Sequence, residues 1–140
     1  MLFRSVSVTP LQLAQAYAVI DSGGIKRPIS LFSIDEAVGG ERMFSKTSAD
    51  AVLRMLEEVV RPGGTGTKAS VEGFRIAGKT GTAWKFAKGG YSEDKYISIF
   101  AGLAPASNPR LVTVVVIDEP SGELYYGSDV AAPVFADVKI

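Results

Sequence analysis

Lys79-Thr80-Gly81-Thr82 sets an ammonium, two hydroxyls and a residue without a side chain in consecutive positions. Such a set suits an anion: the ammonium brings charge, the hydroxyls bring donors, and the glycine lets a ligand backbone lie close. Carried by a strand beside a cleft, it would seat a carboxylate, and an N–H on the strand edge could face the oxyanion that develops in acyl transfer. The same residues complete a second pattern, because Gly73 is followed after four residues by Gly78-Lys79-Thr80, the spelling of a phosphate-binding loop. A third reading is chemically bland, a solvated lysine beside a bulged strand. The element that carries residues 73–84 separates the three.

A phosphate loop must be a glycine-rich turn that runs into a helix whose first N–H groups cradle the phosphates. Here Phe-Arg-Ile-Ala, between the glycines, are strand formers, and Thr-Gly-Thr-Ala-Trp after Lys79 opens no helix. The match is one of spelling. VEGFRIAGKTGTAW instead reads as a strand whose alternation sets Phe74, Ile76, Gly78, Thr80, Thr82 and Trp84 on one face. Lys79 then points away from the two threonines, so convergence of all three requires a twist, a bulge or a place at the rim of the cleft.

Other elements must position that strand. Thr9 caps a helix with Pro10 at its first position, and Leu11, Leu13, Ala14, Tyr17, Ala18 and Ile20 follow at mostly helical spacing until Gly23-Gly24. Residues 25–44 mix apolar residues with Pro28 and a Gly39-Gly40 turn, which reads as extended pieces and a surface loop. Thr47 or Ser48 is the expected cap of a second helix, whose stripe of Ala51, Val52, Met55, Leu56, Val59 and Val60 ends at Pro62-Gly63.

After the KTGT strand, a polar spacer over 86–95 leads to YISIFAGLAP and, past a turn at SNPR, to LVTVVVIDEP. Two strands joined in this way form a hairpin, and their nearly continuous apolar character calls for cover on both faces. GSDVAAPVFADVKI reads as a packing helix, with Ser128 or Asp129 as cap and Val130, Val134 and Val138 at four-residue spacing. The predicted class is α+β, an antiparallel sheet packed by helices. Three strands make a small sheet, so the expectation is that other polypeptide or a second copy continues it.

Composition narrows the chemistry. A chain of 140 residues, 46% hydrophobic, suits one domain over 1–140. Its 15 basic and 15 acidic residues balance, which gives no long-range field toward nucleic acid or anionic lipid. With no cysteine and no histidine there are no thiol nucleophiles, disulfides, Cys/His zinc sites or Ser-His pairs, and proton transfer falls to Lys, Asp, Glu or Tyr. No cofactor or metal is expected. No apolar run approaches the roughly 20 residues that span a bilayer, so the chain reads as soluble. A complete helix signal close behind Met1 and a helical pattern still running at Ile140 suggest that both ends are cut.

The chain resembles the penicillin-binding proteins along nearly its whole length, most closely their division-specific class B members of the penicillin-binding protein three type. The resemblance rests on VTPLQLAQAYAVI, GGIKRPISL, VVRPGGTGTKA, GFRIAGKTGTAWK, AGLAPASNPRLVTVVVIDEP and YYGSDVAAPVF, in the family's order. Thr9-Pro10-Leu11-Gln12-Leu13 and Ala131-Ala132-Pro133-Val134-Phe135 have no catalytic logic of their own, so their company with KTGT speaks for common descent. The resemblance implies the C-terminal portion of the penicillin-binding protein/serine β-lactamase-like transpeptidase fold, at the periplasmic face of the inner membrane in the parent protein. It further implies an acyl-enzyme mechanism that cross-links septal peptidoglycan: a serine attacks the penultimate D-Ala carbonyl of a stem peptide, D-Ala leaves, and an amine of a neighbouring stem takes the acyl group. β-Lactams mimic D-Ala-D-Ala and trap the serine.

By position, the resemblance makes Lys79 the third-motif lysine that organises the hydrogen-bond network. It makes Thr80 and Thr82 the holders of the terminal carboxylate, Gly81 the residue between them along the substrate, and the Thr82 N–H an oxyanion donor. Tyr96, Tyr125 and Tyr126 correspond to aromatic residues that wall the cleft; ordinary packing explains them as well. The first two motifs are absent. Ser92-Glu93-Asp94-Lys95 is the one Ser-x-x-Lys spacing, and it lies in the polar spacer, whereas the nucleophile should open a buried helix that desolvates its lysine. No Ser-x-Asn occurs. The expectation is a C-terminal fragment of the transpeptidase domain, inactive alone and in need of the N-terminal half. The alternatives are a binding or assembly module that forms homo-oligomers through its sheet edge, and a fragment of a serine β-lactamase.

Overall fold

Thr9 opens the first helix of the computed structural model, which describes residues 7–36, 38–87 and 90–138, with the backbone alone at 86–87 and 91–94. Its hydroxyl accepts from the Gln12 N–H at 3.2 Å while the Gln12 side chain accepts from the Thr9 N–H at 2.8 Å, a reciprocal cap that starts α1, Pro10–Asp21. The chain turns out of α1 through Gly24, whose φ of 91° belongs to the left-handed region and whose N–H returns to the Val19 carbonyl at 2.8 Å. The expected extended pieces reduce to β1, Ile25–Lys26, and β2, Glu41–Arg42, an antiparallel pair. α2 then runs Lys46–Val60. Its cap is Ser45 rather than Thr47 or Ser48: Ser45 is extended (φ −67°, ψ 150°) and accepts from the Ser48 N–H at 3.1 Å, which leaves the other two inside the first turn.

β3 (Ala77–Ala87), β4 (Gly90–Ala104) and β5 (Leu111–Asp118) form an antiparallel sheet in the order β3-β4-β5. The KTGT strand starts later than its alternation suggests, because Phe74 donates its N–H to Val71 in a turn and is 47% exposed. The polar spacer is also not a spacer. Phe86 pairs with Tyr91 and Ala87 with Gly90, so it is the far end of one long hairpin. Ser92, whose side chain lies outside the described residues, belongs to that hairpin's backbone.

The apolar strands are covered on both faces. On one, α3 (Gly127–Asp137) lays Ala131, Ala132 and Phe135 against Phe100 and Ala104, with Val60, Ala69 and Ile76 completing the cluster. Small residues at 131 and 132 let the helix come close enough for the Phe135 and Phe100 rings to meet, centroids 4.9 Å apart and tilted 58°. Gly78 and Gly102 make the room: a Cβ on them would stand 2.5 Å and 2.6 Å from ring atoms of Phe100 and Phe135 respectively. Val134 and Val138, 44% and 39% exposed, are not the packing stripe. Tyr126, which makes no side-chain cap bond, holds the cap position expected for Ser128 or Asp129. The helix also stops at Asp137; Lys139 and Ile140 lie outside the described residues.

On the other face, Ala77, Leu103 and Ala106 pack with Tyr17 and Ile20 of α1, Leu53 and Leu56 of α2, and Val112. Glu57 of α2 is buried, and both its carboxylate oxygens accept from Arg75 Nη2, at 2.7 and 2.8 Å. That charge-assisted pair ties the segment entering β3 to α2. Among the described residues β3 and β5 each have a partner strand on one side only.

Candidate active-site wall

From Ala77↔Leu103 to Trp84↔Tyr96 the pairing of β3 and β4 is regular, and the register shifts only between Trp84 and Phe86. KTGT therefore contains no bulge. Regular alternation puts Thr80 and Thr82 on the face of their partners Phe100 and Ser98, and Lys79 on the opposite face. Of the three ways to converge, the rim is the one observed. The exposed Lys79 curls its stem over the strand edge and donates from Nζ to the Thr80 carbonyl at 2.9 Å and to Thr80 Oγ1 at 3.4 Å. The residues after Lys79 continue as β3 and open no helix, which rules out the phosphate-loop geometry.

Each hydroxyl has a protein partner. Thr80 Oγ1 lies 3.2 Å from Thr65 Oγ1, and Thr82 Oγ1 accepts from the Gly127 N–H at 3.0 Å. Acceptance leaves the Thr82 proton available to a ligand. The same loop is held a second time, by Ser98 Oγ donating to the Tyr125 carbonyl. Gly127 is there for close approach: a Cβ would stand 2.5 Å from the Gly81 carbonyl oxygen and nearer still to that of Ile99. Gly81 differs. A Cβ there would meet only the Ile99 Cβ, at 3.7 Å, an ordinary contact, so no protein atom demands a glycine at 81.

This pinned loop carries Tyr125 and Tyr126 over the β3–β4 face. Tyr125 stacks on Tyr96 with centroids 4.0 Å apart and 15° between planes, and its hydroxyl donates to Tyr126 at 3.2 Å. That bond, then burial, pushes the Tyr125 phenol up to about 12. Thr82, Trp84, Tyr96, Tyr125 and Tyr126 together line a cavity of about 350 Å3. Of the residues singled out in the sequence, the structure thus joins Lys79 to Thr80 on β3, and Thr82 to all three tyrosines around a cavity on the β3–β4 face. Thr65, Ser98, Gly127 and Trp84 join the site without having been expected there; of these, Trp84 alone had a signal, its place on the Thr80–Thr82 face. Among the described residues no group of His, Cys, Asp and Glu could hold a metal, and no helix is long and apolar enough to cross a membrane.

Comparison with known proteins agrees with this architecture. Residues 3–139 match the family model of the penicillin binding protein transpeptidase domain. The peptidoglycan D,D-transpeptidase FtsI of Escherichia coli K12 is 51% identical over 131 residues, which are 94% of this chain and 22% of that protein. The probable peptidoglycan D,D-transpeptidase PenA of Neisseria meningitidis serogroup A is 44% identical over 128 residues, 91% of this chain and 22% of that protein. The transpeptidase domain of Burkholderia pseudomallei penicillin-binding protein 3, solved without ligand, superposes with a TM-score of 0.87 at 42% identity, over 95% of this chain and 41% of that one. The chain therefore spans about a fifth of the length of these curated relatives. With a match that runs almost from end to end and a sheet-and-helix arrangement shared with a solved member, the chain belongs to the penicillin-binding protein transpeptidase domain family.

Proposed function

We propose that this chain forms the carboxylate-holding wall of a peptidoglycan D,D-transpeptidase, as the C-terminal part of a domain whose reactive serine is carried by other polypeptide. The observation that carries this reading is the bond from Lys79 Nζ to the Thr80 carbonyl on a regular strand whose outer edge has no partner among the described residues. A residue's N–H and C=O leave a strand on the same side, and the sides alternate, so the Thr82 N–H shares the edge of the Thr80 carbonyl. There it is placed to donate to an oxyanion, a contribution of about 3–4 kcal/mol to the barrier. Thr80 and Thr82 then hold the terminal carboxylate in the field of Lys79, and the open side of Gly81 receives the substrate backbone.

In the reaction, a serine Oγ attacks the penultimate D-Ala carbonyl, the C–N bond breaks and D-Ala departs with a proton. An amine of a second stem peptide then attacks the ester, loses its proton and frees the serine. FtsI and PenA as relatives support a division-specific role at the septum, on the periplasmic face of the inner membrane in the parent protein, with β-lactams as trapped substrate mimics.

Fluorescent penicillin tests the assignment. The 140-residue chain alone is expected to give no covalently labelled band, because Ser92 sits on a hairpin and not at the start of a buried helix. Mixing with a separately made polypeptide that carries Ser-x-x-Lys and Ser-x-Asn is expected to restore labelling, and Lys79→Ala to remove it. A labelled band from the chain alone refutes the proposal.

A further inference from the structure

The cavity beside Thr82 has aromatic walls and, among the described residues, no charged lining, and the acyl transfer proposed above makes no use of it. Two of its rings are open to ligand, Trp84 at 59% and Tyr126 at 53% exposure, while Tyr96 and Tyr125 stack on each other. The ring faces carry negative charge density, and the phenol oxygens of Tyr125 and Tyr126, 3.2 Å apart, add acceptors. With Tyr125 held neutral well above physiological pH, the lining stays electron-rich but uncharged. An apolar ring in this place would cover the phenol oxygens and return no hydrogen bond. An ammonium group satisfies both features, resting on π faces and donating to oxygen.

Position adds the second constraint. Thr82 and Trp84 lie two residues apart on one face of a strand, about 7 Å, so whatever fills the cavity is joined to whatever sits at Thr80 and Thr82. Lys85, on the following residue, does not compete for this space, since it bonds Glu119 at 2.7 Å and Asp118 at 3.2 Å. We propose that the cavity is a cation subsite that takes the ammonium of a side chain on the same peptide whose terminal carboxylate rests at Thr80 and Thr82, and that Trp84 sets this preference. The shared ligand rests on the carboxylate seat of the preceding section; the cation subsite rests on the cavity alone.

Trp84 is the one tryptophan of the chain, so its indole N–H gives a single, assigned nuclear magnetic resonance signal in the intact 140-residue protein. Titration with n-butylammonium is expected to shift it saturably, whereas 1-butanol, similar in size and neutral, leaves it in place. Equal responses to the two, or none, overturn the cation subsite whatever becomes of the carboxylate seat. A second titration uses Nα-acetyl-lysyl-D-alanyl-D-alanine and its norleucyl analogue. The lysyl peptide is expected to bind about two- to fivefold tighter, and Trp84→Leu to abolish the difference without weakening the norleucyl peptide. Equal binding of the two peptides to the unaltered chain overturns the preference. Failure of both peptides while butylammonium still binds overturns the seat at Thr80 and Thr82 and the shared ligand with it.

Discussion

Replacing Gly127 and Gly81 by alanine separates two reasons for a glycine at this wall. At 127 the new methyl would stand 2.5 Å from the Gly81 carbonyl oxygen and closer to that of Ile99, both backbone atoms that no rotamer change can move. Restoring an ordinary separation means lifting the loop by about 1 Å. That stretches the 3.0 Å bond from the Gly127 N–H to Thr82 Oγ1 out of range. A lost bond of about 0.5–1.5 kcal/mol and overpacking of about 1–3 kcal/mol sum to about 2–4 kcal/mol. At 81 the methyl meets only the Ile99 Cβ at 3.7 Å, so stability stays within about 0.5 kcal/mol of wild type or rises slightly through the unfolded chain. The same methyl enters the space reserved for substrate backbone, and penicillin labelling of the reassembled enzyme falls by about tenfold to a hundredfold. Urea unfolding followed by circular dichroism gives the first quantity, and the labelling rate gives the second. Equal stability of the two variants, or Gly81→Ala labelling at the wild-type rate, refutes the division between packing and substrate glycines.

Arg75→Ala leaves the buried Glu57 carboxylate with Arg61 Nη2 at 3.8 Å as its remaining cationic partner among the described residues, and is expected to lower the urea unfolding midpoint. Glu57→Gln, which still accepts from Arg75, costs less, and the order of the two midpoints checks the assignment. Phe135→Ala empties the aromatic centre between α3 and the sheet, with an expected loss of about 3–5 kcal/mol by the same measurement. The Tyr125 phenol, raised to about 12, favours the protonated form in the folded chain, so its contribution to stability is complete below the ordinary tyrosine value near 10 and is lost as pH rises toward 12. Spectrophotometric titration is expected to show one tyrosine that ionises late, and Tyr126→Phe to bring it down, because the Tyr126 hydroxyl accepts the bond that ionisation breaks.

Local signals in the sequence were strong where short-range chemistry decides. The Thr9-Pro10 start and the hairpin strands follow from capping and spacing, and the structure keeps both, whereas in the α2 stripe Val52 and Met55 are exposed and Ala49, Leu53 and Glu57 take their place on the buried face. KTGT read as a strand rather than a phosphate loop for the same reason, since strand formers flank it on both sides. The errors fall where a distant partner decides. At the start of α2 the error is local instead: Ser45 is the residue that stays extended, and its Oγ takes the Ser48 N–H. The valines of α3 gave way to Ala131, Ala132 and Phe135 because the Phe100 ring rewards close approach more than bulk. The residues after Trp84 pair across the hairpin through their backbones, a pairing that no apolar alternation in the sequence announces.

Types and order of residues determined the chemistry available to this chain: an ammonium, two alcohols and a bare backbone position on a strand, with neither thiol nor imidazole to offer another route. Tertiary structure decided how those groups meet. Alternation throws Lys79 and the threonines to opposite faces, and a strand edge with no neighbour among the described residues lets the lysine stem bend back over the rim to Thr80. Likewise, nothing in the sequence brings Gly127 onto Thr82 or four aromatic rings around one cavity. Gly127 lies 45 positions from Thr82 and Tyr125 lies 27 from Ser98, and they meet because the packing of α3 on the sheet closes the distance.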